Sequence, residues 1–113
     1  MGYKAINKAI AKKAISGQLK GYGLGFMQAG LLADRLIAKS DQIGNDRGEP
    51  GDDVLQKILG AVDGDFGGLG EFGISLDDAA IEAEARKIYK LSDDEGVSAA
   101  QSAHACLQIV ARS

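Results

Sequence analysis

Residues 75–112 read SLDDAAIEAEARKIYKLSDDEGVSAAQSAHACLQIVAR, and they decide the fold class. Ser75 with Asp78 fits a capping-box pattern, and Ser92 with Glu95 fits its fuller Ser-x-x-Glu form. Each start is followed by apolar residues at helical spacing. The pattern predicts one helix over about 76–91, presenting Ile81, Ala85, Ile88 and Tyr89. It predicts a second over about 93–112, presenting Val97, Ala100, Ala103, Leu107 and Val110. Glu82 and Arg86 form a favourable i,i+4 pair. The alanines of the second helix permit close approach of a neighbour.

Three further helices are predicted upstream. The first, about 3–19, gathers Tyr3, Ile6, Ala9, Ile10 and Ala14 on one side, with Ala11 and Ile15 at its edge. The second, about 22–39, carries Leu24, Met27, Leu31 and Ala38 at helical spacing, widened by Leu32 and Leu36. Its start is weakened by Gly21, Gly23 and Gly25, each costing about 1 kcal/mol relative to alanine in a helix. The third, about 52–62, opens with Asp52 and Asp53, which suit the positive end of a helix, and turns Val54, Leu55, Ile58, Leu59 and Val62 inward. A polar loop is expected at 40–52 and a glycine-rich loop at 63–74, the latter pinned by Phe66, Leu69, Phe72 and Ile74. No convincing strand appears. The expected fold is all-α: a small bundle of four to five helices over residues 1–113, as a single helical domain.

The composition agrees with this. The chain has 113 residues, one proline, no tryptophan, sixteen glycines, and 45% hydrophobic against 26% charged residues, which is one globular domain. So few aromatics make a thin core that subunit association would help to stabilise. One cysteine excludes an internal disulfide, and one histidine with it excludes the usual zinc sites. No metal or cofactor is expected. No segment approaches the roughly 20 apolar residues needed to span a bilayer, and no secretory or myristoylation signal is recognised. The setting expected is reducing and cytoplasmic, with Cys106 free.

The net charge of −3 hides a division. Residues 1–33 carry Lys4, Lys8, Lys12, Lys13 and Lys20 and no acid, a charge of +5, and the remainder carries −8. The basic amphipathic helix within 1–20 is therefore a candidate contact for an anionic partner. Gly17, Gly21, Gly25, Ala29 and Ala33 fall at strict i+4 spacing. Were the first two helices nearly continuous, these would form a smooth ridge for another helix or subunit.

The sequence carries no coherent catalytic motif. Gly68–Gly73 matches G-x-G-x-F-G, and Asp65-Phe66-Gly67 matches D-F-G. In kinases these strings lie far apart, whereas here they abut with no H-R-D string. The same glycines lack the preceding apolar strand of a dinucleotide fold. A phosphate on the amides ahead of residue 76 is a weaker alternative. Asp63, Asp65 and Glu71 do not fit an EF-hand, since Ile74 stands where the bidentate glutamate belongs. His104 and Cys106 are two residues apart on one helix, about 160° around it, so they form no dyad.

The reading is a non-catalytic interaction protein, a homo-oligomer acting through protein contacts as an accessory, inhibitor or assembly factor. Size alone also suits a bacteriophage or mobile-element origin. The alternatives are nucleic-acid or anionic-surface binding through the lysine helix, with membrane contact disfavoured, and a small anionic ligand at an oligomer interface.

Overall fold

The computed structural model describes residues 2–113. They form six helices: α1 Lys8–Gly21, α2 Phe26–Arg47, α3 Gly51–Gly60, α4 Gly67–Gly70, α5 Asp78–Tyr89 and α6 Ala99–Arg112, with a 3-10 turn at Ala61–Asp63. No strand occurs among the described residues, so the all-α expectation holds. The helix α2 is the spine. Its 22 residues span about 33 Å, and α1, α3 and α6 all pack on it. The last pair, α5 and α6, forms a hairpin joined to the spine through α6. Leu19, Leu36, Ile37, Ile58, Leu69 and Leu107 are fully buried where these elements meet.

The N-terminal helix begins later than its apolar spacing suggests. Asn7 is its cap, accepting from the Ile10 amide, and the residues before it run extended. The Ile6 amide donates to Asp41 Oδ1 at 2.9 Å, and the Gly51 amide donates to the Lys4 carbonyl at 2.8 Å. Once the helix starts at Lys8, its buried face is Ile15 and Leu19, while Ile10 stands 69% exposed. The expected Tyr3–Ile6–Ile10–Ala14 face therefore does not form, because Tyr3 and Ile6 lie outside the helical repeat.

The expected loop at 40–52 is mostly helix. Helix α2 runs on to Arg47 and stops at Gly48, which takes the left-handed conformation at φ 69°. Its polar composition is accommodated in two ways. The Ser40 hydroxyl, fully buried, donates to the Leu36 carbonyl within the helix, and Ile43 and Gly44 continue the inward face. Gly44 lies so close to the next segment that a Cβ there would meet the Glu49 carbonyl oxygen at 2.7 Å. The glycine-rich segment 63–74 holds only the short α4 and irregular turns, with Leu69 and Ile74 buried as expected.

Both predicted cap sites shift. Asp77, not Ser75, caps α5, its carboxylate accepting from the Ala80 amide at 2.7 Å. A carboxylate is the stronger acceptor at a positive helix end. At Ser92 half of the predicted box forms: Glu95 Oε1 accepts from the Ser92 backbone amide at 3.4 Å, and also from the Ser92 hydroxyl at 3.2 Å. The turn does not propagate, because Gly96 follows and Arg86 takes the carbonyls of both Ser92 and Glu95, at 2.6 and 2.7 Å. A complete box, Ser98 with Gln101, starts α6 six residues further on.

Candidate functional site

Helices α1 and α2 are antiparallel. Lys20 lies over the Phe26 ring at one end, and Lys12 pairs with Asp34 at the other, Nζ to Oδ2 3.1 Å. The turn between them depends on Gly23 at φ 94°, which the dense glycines of this stretch supply. On the outer side of the pair lies a groove of about 620 Å³. Part of its lining is small: Ala9, Ser16, Gly17 and Gly30. Phe26, Met27 and Leu31 stand along the α2 side, 78%, 77% and 60% exposed. These are the large apolar residues that the bundle leaves most uncovered on α2.

The charge around this groove is one-sided. Lys12, Lys13 and Lys20 line it from α1, against the single acid Asp34. Lys12 satisfies that acid, so Lys13 and Lys20 have no carboxylate partner among the described ion pairs. The Lys20 ammonium stands 4.6 Å from the Phe26 ring centroid, a cation–π geometry that leaves the rest of the ring open. The site therefore joins an apolar trough to two free cations, a combination suited to an amphipathic anionic surface.

Of the five sequence-nominated lysines, three meet here. Lys4 does not, since its backbone is clipped to Gly51, and Lys8 opens α1 outside the groove. The small-residue ridge is broken. Residues 22–25 turn the chain back, so Gly17, Gly21 and Gly25 do not align with Ala29 and Ala33. Ala29 and Ala33 are fully buried and pack inward, Gly17 lies in the groove, and Gly21 and Gly25 face open space. The apolar spacing groups Met27 and Leu31 with Leu24, Leu32, Leu36 and Ala38 in one stripe, whereas the structure leaves both outside it. A signal to the contrary was available: α2 has apolar residues on more than one face, and Leu32, Leu36, Ile37 and Ile43 already supply a sufficient inward stripe.

The other chemically equipped regions are occupied by internal bonds. A cavity of about 400 Å³ lies between residues 61–66, α5 and α6, with Arg86, Glu82 and Cys106 in its wall. The Arg86 guanidinium is engaged by Glu82 Oε1 at 2.8 Å and by the two carbonyls of the 92–95 turn. Burial pushes the Cys106 thiol up to about 11, so it is a poor nucleophile at neutral pH. His104 Nδ1 shares a 2.7 Å hydrogen bond with the Tyr89 hydroxyl, and burial lowers its pKa, with Glu84 opposing. Glu84 is itself held by both Arg112 nitrogens at 2.8 and 2.6 Å.

The glycine-rich segment also spends its amides internally. Those of Phe72, Gly73 and Ile74 donate to the carbonyls of Leu69 and Gly70. The Phe72 ring lies between Arg47 and Lys57, 5.2 and 5.5 Å from its centroid, and Lys57 pairs with Glu71 at 3.1 Å. Among the described residues no cluster of three or more metal-ligating side chains occurs, and no helix is long and apolar enough to cross a membrane. No family model, curated protein or solved structure matches the chain.

Proposed function

We propose that this protein is a non-catalytic binding module whose working surface is the outer groove between α1 and α2, and that it takes a protein partner there. The observation that carries this reading is the exposure of Phe26, Met27 and Leu31 side by side along a recess that is open at Gly17. Large apolar side chains grouped on a surface mark a contact face more often than chance scatter does. The non-catalytic part is supported by the state of the reactive groups: the Cys106 thiol is buried with its pKa raised, and His104 is tied to Tyr89. The cytoplasmic setting belongs to the same proposal, as does action as an accessory or assembly factor.

Photo-crosslinking tests it. Met27 is one of only two methionines, so photo-methionine places a reactive diazirine in the groove. In extract of the source cells, crosslinked products of defined mass are expected from the wild-type chain and lost in Leu31→Glu. A benzoylphenylalanine at exposed Ala83 on α5 serves as control. The same products from Leu31→Glu, from the Ala83 control, or from neither position contradict the reading.

A further inference from the structure

We infer that the partner in the α1/α2 groove is an acidic amphipathic helix of another protein, lying along the trough with apolar side chains over Gly17 and against Met27 and Leu31, and carboxylates against Lys13 and Lys20. The inference rests on the binding reading above and gives the partner its chemistry.

The two antiparallel helices pack through Ile15 and Leu19 of α1, and their outer side is a trough lined by the small residues Ala9, Ser16, Gly17 and Gly30, open at Gly17 and crossed near Gly30 by the Lys12 side chain on its way to Asp34. A third helix can settle into such a trough at the usual interaxial distance of about 8–10 Å. The lining runs from Ala9 to Lys20 along α1, about 17 Å, which is three turns of a partner helix. Such a partner presents apolar residues at i, i+3 or i+4, and i+7, meeting Met27 and Leu31 on the wall.

The groove offers Lys13 and Lys20 unpaired, with Asp34 already neutralised by Lys12. Carboxylates flanking the apolar stripe of the partner complement them and fix its register. The same charge disfavours a second copy seated groove to groove. A groove-to-groove dimer would gather four unpaired lysines in one interface, with each Asp34 already paired to its own Lys12.

The other anionic candidates fit less well. A bilayer rewards a convex apolar face with interfacial anchors, whereas here a recess would stay unfilled beneath the headgroups. Nucleic acid is read with arginine and with open aromatic platforms. The first 33 residues hold no arginine, and among the groove's lining residues Phe26 is a lone aromatic ring.

The test uses the intact protein and fluorescein-labelled peptides of about 18 residues, roughly 27 Å as a helix. One peptide has leucine at heptad a and d positions with glutamate and alanine elsewhere; its counterpart replaces glutamate with lysine. Anisotropy titrations are run at low and high salt. The acidic peptide is expected to bind, and the basic one is not. Affinity is expected to fall about tenfold or more in Lys13→Glu/Lys20→Glu and in Leu31→Glu, both checked for folding by circular dichroism. Equal binding of the two peptides overturns the acidic assignment and leaves the groove reading standing. Binding of phosphatidylglycerol vesicles or single-stranded DNA, with the acidic peptide inert, overturns it in favour of those partners. A dimer in sedimentation velocity that Leu31→Glu dissolves overturns it in favour of a second copy. No binding of any probe, with no groove-dependent crosslink, removes both readings.

Discussion

Lys20 and Phe26 face one another across the turn that joins α1 to α2, the ammonium 4.6 Å from the ring centroid. One residue comes from each wall of the groove, so the pair closes one end of it. Phe26 nevertheless remains 78% exposed, which means the cation covers only part of the ring. The helix α2 thus has two apolar faces with different tasks. One holds the bundle together, and the other is left uncovered.

The two faces should separate cleanly in stability measurements. Leu36 is fully buried, so Leu36→Ala should cost about 2–5 kcal/mol. Leu31, five residues earlier on the outer face, is 60% exposed, and Leu31→Ser should change stability by no more than about 0.5 kcal/mol. Urea unfolding of both variants reads the difference. A large loss for Leu31→Ser would mean the outer face packs within the monomer.

Glycine substitutions should diverge in sign. A Cβ at Gly44 would meet the Glu49 carbonyl oxygen at 2.7 Å and the Gly51 nitrogen at 3.2 Å, and backbone atoms cannot step aside cheaply. Gly44→Ala is expected to lose about 1–3 kcal/mol. Gly17, also helical, has nothing within 4 Å of the added carbon, so Gly17→Ala should gain up to about 1 kcal/mol. Thermal melts of the pair suffice, and similar shifts in both would contradict the packing around Gly44.

These two glycines also show why the sequence was only partly legible. The helical class, the third helix with Asp52 and Asp53 at its start, and the Glu82–Arg86 pair at 2.8 Å all follow from local patterns. Local patterns decide such features because neighbours on one helix turn meet whatever the rest of the chain does. The continuation of α2 through Ser40–Arg47 depends instead on Gly44 packing against Gly51 and on Ser40 bonding back to Leu36, and composition alone reads there as loop. The groove was harder still. The lysine cluster was nominated from charge, and Lys12, Lys13 and Lys20 do gather. The apolar residues of α2 spread over more than one face, and the turn at 22–25 decides that Met27 and Leu31 stand on the outer one.

Acid should destabilise the fold in two stages. Burial lowers the His104 pKa, so an unfolding chain takes up a proton there first as pH falls. That contribution erodes stability from about pH 6.5 downward, through the folded value. The Glu84 pKa is also lowered, chiefly by its hydrogen bonds from Arg112. Its stabilisation is complete above the unfolded carboxylate value of about 4.3 and is lost as pH falls through the folded one. Melting temperature against pH should show both declines, and His104→Gln should flatten the first alone. An unchanged profile in that variant would contradict the assignment.

Cys106 should resist modification in the native state. It is 1% exposed, and its thiol is pushed up to about 11. Reaction with a disulfide reagent such as dithionitrobenzoate should be negligible until urea unfolds the protein, then reach one thiol per chain. Rapid native labelling would place Cys106 at an accessible surface and reopen a chemical role for the cavity beside it.

The central claim is that the α1/α2 groove receives the partner, and Met27 reports on it directly. Protein labelled with [methyl-13C]methionine gives two methyl signals, from Met1 and Met27, and a Met27→Leu sample identifies the second. Titration with the acidic amphipathic peptide should shift or broaden the Met27 methyl resonance in step with binding, and Lys13→Glu/Lys20→Glu should suppress the change. A Met27 signal that stays in place while the peptide saturates the protein would show that the groove is not where the partner binds.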